Sequence, residues 1–97
     1  MKVISRKILK SFYEKHADAK SALEAWYVEA KHAEWRSPQD IKAKYATVSI
    51  VANNRVVFNI CGNKYRLVVQ FAYAPAIAYI RFVGTHKQYD KIDVEAI

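Results

Sequence analysis

Residues 55–70 read Arg-Val-Val-Phe-Asn-Ile-Cys-Gly-Asn-Lys-Tyr-Arg-Leu-Val-Val-Gln, and this stretch decides the fold. It joins two runs rich in β-branched and aromatic residues through the turn-forming pair Gly62-Asn63. A two-residue turn at this pair sets up three apolar pairs across the strands: Ile60 with Tyr65, Phe58 with Leu67, and Val56 with Val69. The stretch therefore predicts an antiparallel hairpin with one continuous apolar face.

The other face of the same hairpin is polar. The register that pairs the apolar residues places Asn59 beside Arg66 and Arg55 beside Gln70. Lys64, at the end of the hairpin, is close enough to join this polar face.

A third strand is predicted from Ile77 to Val83, after a break at the only Ala-Pro pair of the chain. If the connecting loop has an even number of residues, Ile80 and Phe82 join the apolar face. Tyr79 and Arg81 then join the polar face. An odd loop would bury the charge of Arg81 without a partner, which costs several kcal/mol, so the even loop is the prediction.

The N-terminal half has the period of helices. Ser5 precedes a helix with Ile8, Leu9, Phe12 and His16 on one face, a second helix runs from about Ala19 to Ala33, and Ser37-Pro38 opens a short third one. Residues 1–4 form a plausible edge strand. The sequence predicts one domain over residues 1–97 with an α+β fold, in which two or three N-terminal helices pack on one face of a small antiparallel sheet.

The charge of the chain points to an anionic partner. The chain has sixteen Lys and Arg residues and nine Asp and Glu residues, which gives a formal net charge of +7. Such a field attracts RNA, DNA, an acidic protein or an anionic membrane alike. No Asp or Glu lies between Ile41 and Tyr89, a range that contains the predicted strand cations Arg55, Lys64, Arg66 and Arg81. A merely solvated face would mix both signs, so this pattern favours an anion-binding face.

Cysteine and histidine usage excludes several classes of protein. Cys61 is the only cysteine, so no internal disulfide forms and a reducing cytoplasm is expected. His16 and His32 lie far apart, and no Cys/His spacing suits a metal ion. We expect no metal or other cofactor. No apolar run has the length of a membrane span or of a secretory signal.

The segment after the last strand, Gly84-Thr-His-Lys-Gln-Tyr-Asp90, groups chemically useful side chains. His86, Lys87, Tyr89 and Asp90 supply an imidazole, an ammonium, a phenol and a carboxylate within five residues. Attack of a ribose 2′-hydroxyl on its own phosphate needs a base, an acid and cations, and histidine serves either proton role near neutral pH. Such a short polar segment is weak evidence by itself.

The hairpin and this segment together carry a family resemblance. The hairpin residues Val-Phe-Asn-Ile-Cys-Gly-Asn-Lys-Tyr-Arg-Leu (57–67) and the later run Tyr-Ile-Arg-Phe-Val-Gly-Thr-His-Lys-Gln-Tyr-Asp (79–90) resemble the HigB toxins of bacterial toxin–antitoxin modules, within the RelE-like superfamily. The resemblance covers nearly the whole chain. It implies a RelE-like fold and ribosome-dependent endonucleolytic cleavage of translated messenger RNA. It also implies a HigA-type helix-turn-helix antitoxin, with operator DNA bound only through the toxin–antitoxin complex.

The resemblance also assigns roles within the predicted site. Arg66 and Arg81 would clamp the transition state, Lys64 would hold phosphate, and His86 would transfer the proton. Tyr89 and Lys87 are second choices, for proton transfer or base stacking, and Asp90 would orient His86. The remaining substrate-binding candidates come from the polar sheet face and are Arg55, Asn59 and Tyr79.

Two other functions fit the same residues. A non-catalytic RNA- or DNA-binding module would use the basic face through its charge alone, but it leaves His86, Tyr89 and Asp90 without a purpose. The second alternative is a RelE-like toxin that has lost cleavage activity or that acts on a target other than translation. Replacement of His86 separates a nuclease from a binder.

Overall fold

The elements follow one another as helices first and strands afterwards, apart from one N-terminal strand. The computed structural model describes all of residues 1–97. Its elements are β1 (Lys2–Ile4), α1 (Arg6–Lys15), a 3₁₀ turn (Ala17–Ala19), α2 (Lys20–His32), α3 (Pro38–Lys44), β2 (Ser49–Val51), β3 (Arg55–Ile60), β4 (Tyr65–Ala72), β5 (Ile77–Thr85) and α4 (His86–Tyr89). None of the helices has the length and apolar composition needed to cross a membrane.

The five strands form one sheet in the order β1-β5-β4-β3-β2. Strands β2 to β5 are antiparallel neighbours, whereas β1 lies parallel to β5. The α+β class and the N-terminal helices are confirmed, and the sheet is mixed rather than wholly antiparallel because of β1. The edge strand β2 and the short helix α4 were not predicted.

The register of the β3–β4 hairpin is the predicted one. Phe58 pairs with Leu67, and Asn59 pairs with Arg66. The turn itself differs from the prediction, since the left-handed residues are Cys61 (φ 54°) and Gly62 (φ 67°) rather than Gly62 and Asn63. The Lys64 N–H closes the turn on the carbonyl of Cys61 at 3.2 Å.

A bulge changes the assignment of faces on β5. The pairing between β4 and β5 shifts between Val68 and Val69, so that Ile80 lies opposite Val69 but Phe82 lies opposite Val68. Ile80 joins the core as predicted. The prediction that Phe82 joins it is wrong, because the extra residue at the bulge turns Phe82 to the other face. Val83 enters the core in its place.

The core lies between the helices and the predicted apolar face of the sheet. Leu23 and Trp26 of α2 are buried, and the Trp26 ring meets Phe58 edge to face at 5.4 Å between centroids. Ile41 of α3 and Leu67 of β4 are completely buried. Burial of this apolar surface is the main force that holds the helices on the sheet.

Asp18, in the 3₁₀ turn, ties the tip of the hairpin to the helical layer. Its carboxylate accepts hydrogen bonds from the Lys64 ammonium and from the Tyr65 hydroxyl, the latter at 2.7 Å. Its backbone carbonyl accepts from the Cys61 thiol at 3.3 Å. The Lys64 and Tyr65 hydrogen bonds hold the pKa of Asp18 below its ordinary value of 3.8, and the same pair raises the pKa of Lys64.

The segment after α4 crosses the polar face of the sheet. The Asn53 amide donates to the carbonyl of Glu95 at 3.2 Å, and the Arg55 guanidinium donates to the carbonyl of Ile97 at 2.9 Å. Val57 and Val68 point to this face, yet they are buried and lie outside the main core cluster.

Replacement of Leu23 by Ala should destabilise the protein strongly. Leu23 is completely buried, so the variant loses transfer free energy and leaves a cavity, at a cost of about 2–5 kcal/mol. Val28 lies on the same helix but is 54% exposed, and Val28→Ala should change the free energy of unfolding by less than about 0.5 kcal/mol. Urea unfolding followed by circular dichroism measures both. Equal effects would contradict the assigned faces of α2.

The carboxyl of Asp18 should titrate below 3.8 in the folded protein. Because the folded pKa is lowered, the contribution of Asp18 to stability is complete above its unfolded pKa and disappears as the pH falls through the folded pKa. An NMR titration of the carboxyl carbon measures the midpoint, and Lys64→Met should raise it. A wild-type midpoint at or above 3.8 would rule out the ion pair.

Candidate active site

Helix α4 carries three of the predicted site residues, His86, Lys87 and Tyr89. The Thr85 hydroxyl accepts from the backbone N–H of Gln88 at 3.2 Å, and the Gln88 side chain accepts from the Thr85 N–H at 2.9 Å. This reciprocal cap satisfies N–H groups at the start of the helix. Gly84 precedes it where a Cβ atom would lie 2.5 Å from the Phe82 ring, so any larger residue here would have to displace that ring.

Asn63, at the tip of the hairpin, contacts two of the predicted catalytic residues. Its side-chain oxygen accepts a hydrogen bond from Nη1 of Arg66 at 2.8 Å. Its backbone carbonyl contacts Nε2 of His86. Because a carbonyl oxygen only accepts, Nε2 must carry the hydrogen. Nδ1 is therefore the nitrogen of the neutral His86 ring that is left for proton transfer.

Tyr89 lies against the same group. The Arg66 guanidinium carbon is 5.8 Å from the centroid of the Tyr89 ring, within the range of a cation–π contact. The Phe82 ring also lies beside the Tyr89 ring, with 6.5 Å between the ring centroids. Arg66, His86 and Tyr89 are thus brought together at one end of the polar face.

Arg81 forms a second cationic point on this face. Its Nε and Nη2 donate to the side-chain oxygen of Gln70 at 3.0 and 2.7 Å, and its guanidinium lies 5.1 Å from the Tyr79 ring centroid. Arg81 is the extra residue of the β5 bulge and lies opposite Val68 and Val69 of β4. These two residues are two and three positions beyond Arg66 on the same strand. A strand rise of about 3.3 Å per residue separates the two arginines by roughly 8 Å along the strands.

Three predicted residues are engaged elsewhere. Arg55 is only 8% exposed and donates to the carbonyls of Asn53 and Ile97, so it is not free to bind substrate. Lys64 is paired with Asp18 on the helical side of the hairpin. The Asn59 amide donates to the carbonyl of Thr47 at 3.1 Å.

The two other residues predicted from the α4 segment, Lys87 and Asp90, are exposed. The Asp90 carboxylate makes no hydrogen bond to His86, and its backbone N–H donates to the His86 carbonyl at 2.9 Å. The group that orients the imidazole is instead the Asn63 carbonyl. Asp90 therefore does not perform the predicted orienting role in this structure.

Sequence reasoning assigned Asn63 to the turn alone, and no signal in the sequence marked its contacts with His86 and Arg66. The predicted register places Gln70 on the polar face but does not identify it as the acceptor for Arg81. The role of Gln88 could have been found, because Thr85-His-Lys-Gln88 has the spacing of a capping box.

The side chains on this face suit phosphate chemistry. One imidazole, two guanidinium groups and the phenols of Tyr79 and Tyr89 lie on this face. Each arginine still has N–H donors free, since a guanidinium carries five. No three His, Cys, Asp or Glu side chains converge as ligands for a metal ion. The arrangement combines groups able to transfer protons with fixed positive charge.

Comparisons with known proteins agree with this arrangement. Residues 19–92 match the model of the HigB toxin family, described as the RelE-like toxic component of a toxin–antitoxin system. The mRNA interferase toxin HigB of Escherichia coli K12 is 32% identical over 92 residues, which cover 93% of this chain and 88% of that protein. The mRNA interferase HigB of Shigella flexneri matches to the same extent. The chain therefore belongs to the HigB family of RelE-like toxins.

Proposed function

We propose that this protein is an endoribonuclease that cleaves messenger RNA during translation, as the toxin of a toxin–antitoxin pair. The observation that carries the proposal is the convergence of His86, Arg66 and Tyr89 on one sheet face, with Arg81 beside them. The relatives bear the name mRNA interferase, which supports the same activity here.

The proposed reaction is attack of a ribose 2′-hydroxyl on the adjacent phosphate without a metal ion. Nδ1 of His86 takes the hydroxyl proton, because Nε2 is engaged with the Asn63 carbonyl. Arg66 and Arg81 donate to the phosphate oxygens, whose negative charge grows in the transition state. Tyr89 is the candidate proton donor to the leaving oxygen or a platform for a base. Lys64 would have to leave Asp18 to hold phosphate.

The openness of the site supports dependence on the ribosome. The three grooves of the molecule include none of the four residues Arg66, Arg81, His86 and Tyr89. A site outside any groove does little to hold a flexible strand in the geometry for attack, and positioning is a large part of catalysis. A message held in the ribosome would arrive already positioned.

Two further assignments complete the proposal. The toxin family implies an antitoxin partner. We propose that this partner is a HigA-type DNA-binding protein. The toxin then binds operator DNA only as part of the complex with this antitoxin. We also propose a cytoplasmic location, where messages are translated.

A non-catalytic nucleic-acid-binding module remains the second candidate function. The net charge of +7 favours it as much as it favours a nuclease. Such a module needs the arginines but not the imidazole, so the behaviour of His86 variants distinguishes the two.

His86→Ala should slow messenger cleavage at least about a hundredfold, because it removes the proton-transfer group. The measurement is mapping of new 5′ ends on a reporter message in a purified bacterial translation system, with and without ribosomes. His32→Ala is the matched control, since His32 is exposed on α2 and lines only a groove away from the site.

New ends that require ribosomes and disappear only in the His86 variant support the proposal. New ends that persist with His86→Ala would indicate that Lys87, Tyr89 or Lys64 transfers the proton instead. Intact messages with the wild-type protein would leave a binding module.

A message with a single 2′-deoxynucleotide at the cleavage position should resist the wild-type protein, because the attacking hydroxyl is absent. The same substitution one nucleotide further along should leave cleavage unchanged. Mass spectrometry of the products should find a 2′,3′-cyclic phosphate. Cleavage of the deoxy-substituted bond would refute transphosphorylation while leaving the nuclease activity itself intact.

A further inference from the structure

Gln70 of β4 lies on the polar face near two arginines and accepts from only one of them. Its cross-strand partner on β3 is Arg55, and its partner on β5 is Tyr79. The Arg55 guanidinium is engaged away from Gln70, because it donates to the backbone carbonyl of Ile97. The side-chain oxygen of Gln70 accepts two hydrogen bonds, and both come from Arg81.

Arg81 needs such a partner to have a fixed direction. It is the extra residue of the β5 bulge, so no residue of β4 lies directly opposite it. Its side chain is exposed, and a free arginine side chain loses rotamer freedom when it binds. Gln70 restrains it at 3.0 Å from Nε and 2.7 Å from Nη2, and the Tyr79 ring centroid lies 5.1 Å from the guanidinium carbon. These two contacts order the guanidinium before a substrate arrives.

The hydrogen bonds of Arg81 use only one side of its guanidinium group. A guanidinium presents five N–H groups in a flat fork. The Nε–H and one Nη2–H lie along the side that faces the Gln70 oxygen. The edge formed by Nη1 and the second Nη2–H makes no hydrogen bond within the protein. Two parallel N–H groups at such an edge match two oxygens of a phosphate.

Gln70 orients Arg81 without neutralising it. Both Arg81 nitrogens are donors, so the amide has to present its oxygen to them. A carboxylate at the same position would accept the same hydrogen bonds. It would also cancel the charge of Arg81 and repel a phosphate. A neutral acceptor therefore suits a cation that has to bind an anion.

We propose that Gln70 is a positioning residue for RNA cleavage and acts through Arg81. It holds the Nε and Nη2 side of the guanidinium and leaves the Nη1 and Nη2 edge for two oxygens of the phosphate at the cleaved bond. Donors that are already in place stabilise the growing negative charge without reorienting during the reaction. The proposal rests on the endoribonuclease function proposed above.

The first test removes the acceptor. Gln70→Met keeps the length of the side chain but offers only a weakly accepting sulfur. The maximal rate of message cleavage in the purified translation system should fall at least about tenfold. The ribosome concentration that gives half of this rate should change by less than about threefold, because Arg81 keeps its charge but loses its orientation. Gln39→Met is the matched control on α3, where Gln39 is exposed, and it should cleave like the wild type.

The second test separates positioning from a purely structural role. Gln70→Glu keeps an oxygen acceptor for Arg81 and adds an ion pair, so the urea midpoint of unfolding should not fall below that of the wild type. Cleavage should nevertheless be at least about tenfold slower, because the carboxylate neutralises the guanidinium. Gln39→Glu makes the same charge change on α3 and should leave cleavage unchanged. Normal cleavage by Gln70→Glu would contradict the need for a neutral acceptor.

A double variant tests whether Gln70 acts through Arg81. In an Arg81→Ala background, Gln70→Met should slow cleavage by less than about a further twofold, since no guanidinium is left to orient. A further loss as large as in the wild-type background would overturn the proposal.

The Nε–H signal of Arg81 in NMR spectra provides a readout that does not depend on activity. Its exchange with water should be at least about tenfold faster in Gln70→Met than in the wild type, because the hydrogen bond protects it. Equal exchange rates, or normal cleavage by Gln70→Met, would overturn the positioning role alone. Intact messages with the wild-type protein would overturn the nuclease proposal and this role with it.

Discussion

The alternation of apolar and polar side chains across the β3–β4 hairpin is the constraint on which the rest of the structure depends. Phe58 and Leu67 face the helices, and their neighbours Asn59 and Arg66 face the other way. A slip of one residue would exchange the two faces and bury the charge of Arg66. The same pairing therefore forms the core and puts the principal cation of the site on the surface.

The sequence predicts the structure correctly where one strong local pattern determines it. It fails where contacts between distant segments determine the structure. The hairpin register and the helices follow from periodicity and turn chemistry. The bulge puts Val83 in the core instead of Phe82, and it could be predicted only from how β4 and β5 pair. Counting an even or odd number of loop residues assumes a strand pairing without a bulge. Strand β2 has three residues and little pattern of its own, so only its pairing with β3 reveals it.

The candidate site divides in the same way. His86, Arg66 and Tyr89 were predicted together and lie together, whereas Arg55 and Lys64 are held by acceptors 42 and 46 residues away in sequence. No local pattern predicts such partners. Because Arg55 and Lys64 are engaged by these acceptors, the polar face has less free positive charge than the sequence predicted. Arg66 and Arg81 donate only to neutral acceptors, the side-chain oxygens of Asn63 and Gln70, so no carboxylate neutralises their charge.

The choice of a backbone carbonyl to orient His86 follows the same electrostatic logic. A carboxylate beside the imidazole would hold the ring, but it would also repel the phosphates of an approaching RNA strand. The Asn63 carbonyl fixes the hydrogen on Nε2 without adding negative charge. Its position depends on the turn at Cys61 and Gly62, which Asp18 anchors to the helical layer from behind. The N-terminal helices contribute no candidate catalytic side chain to the site, yet they stabilise its geometry through the tip of a single hairpin.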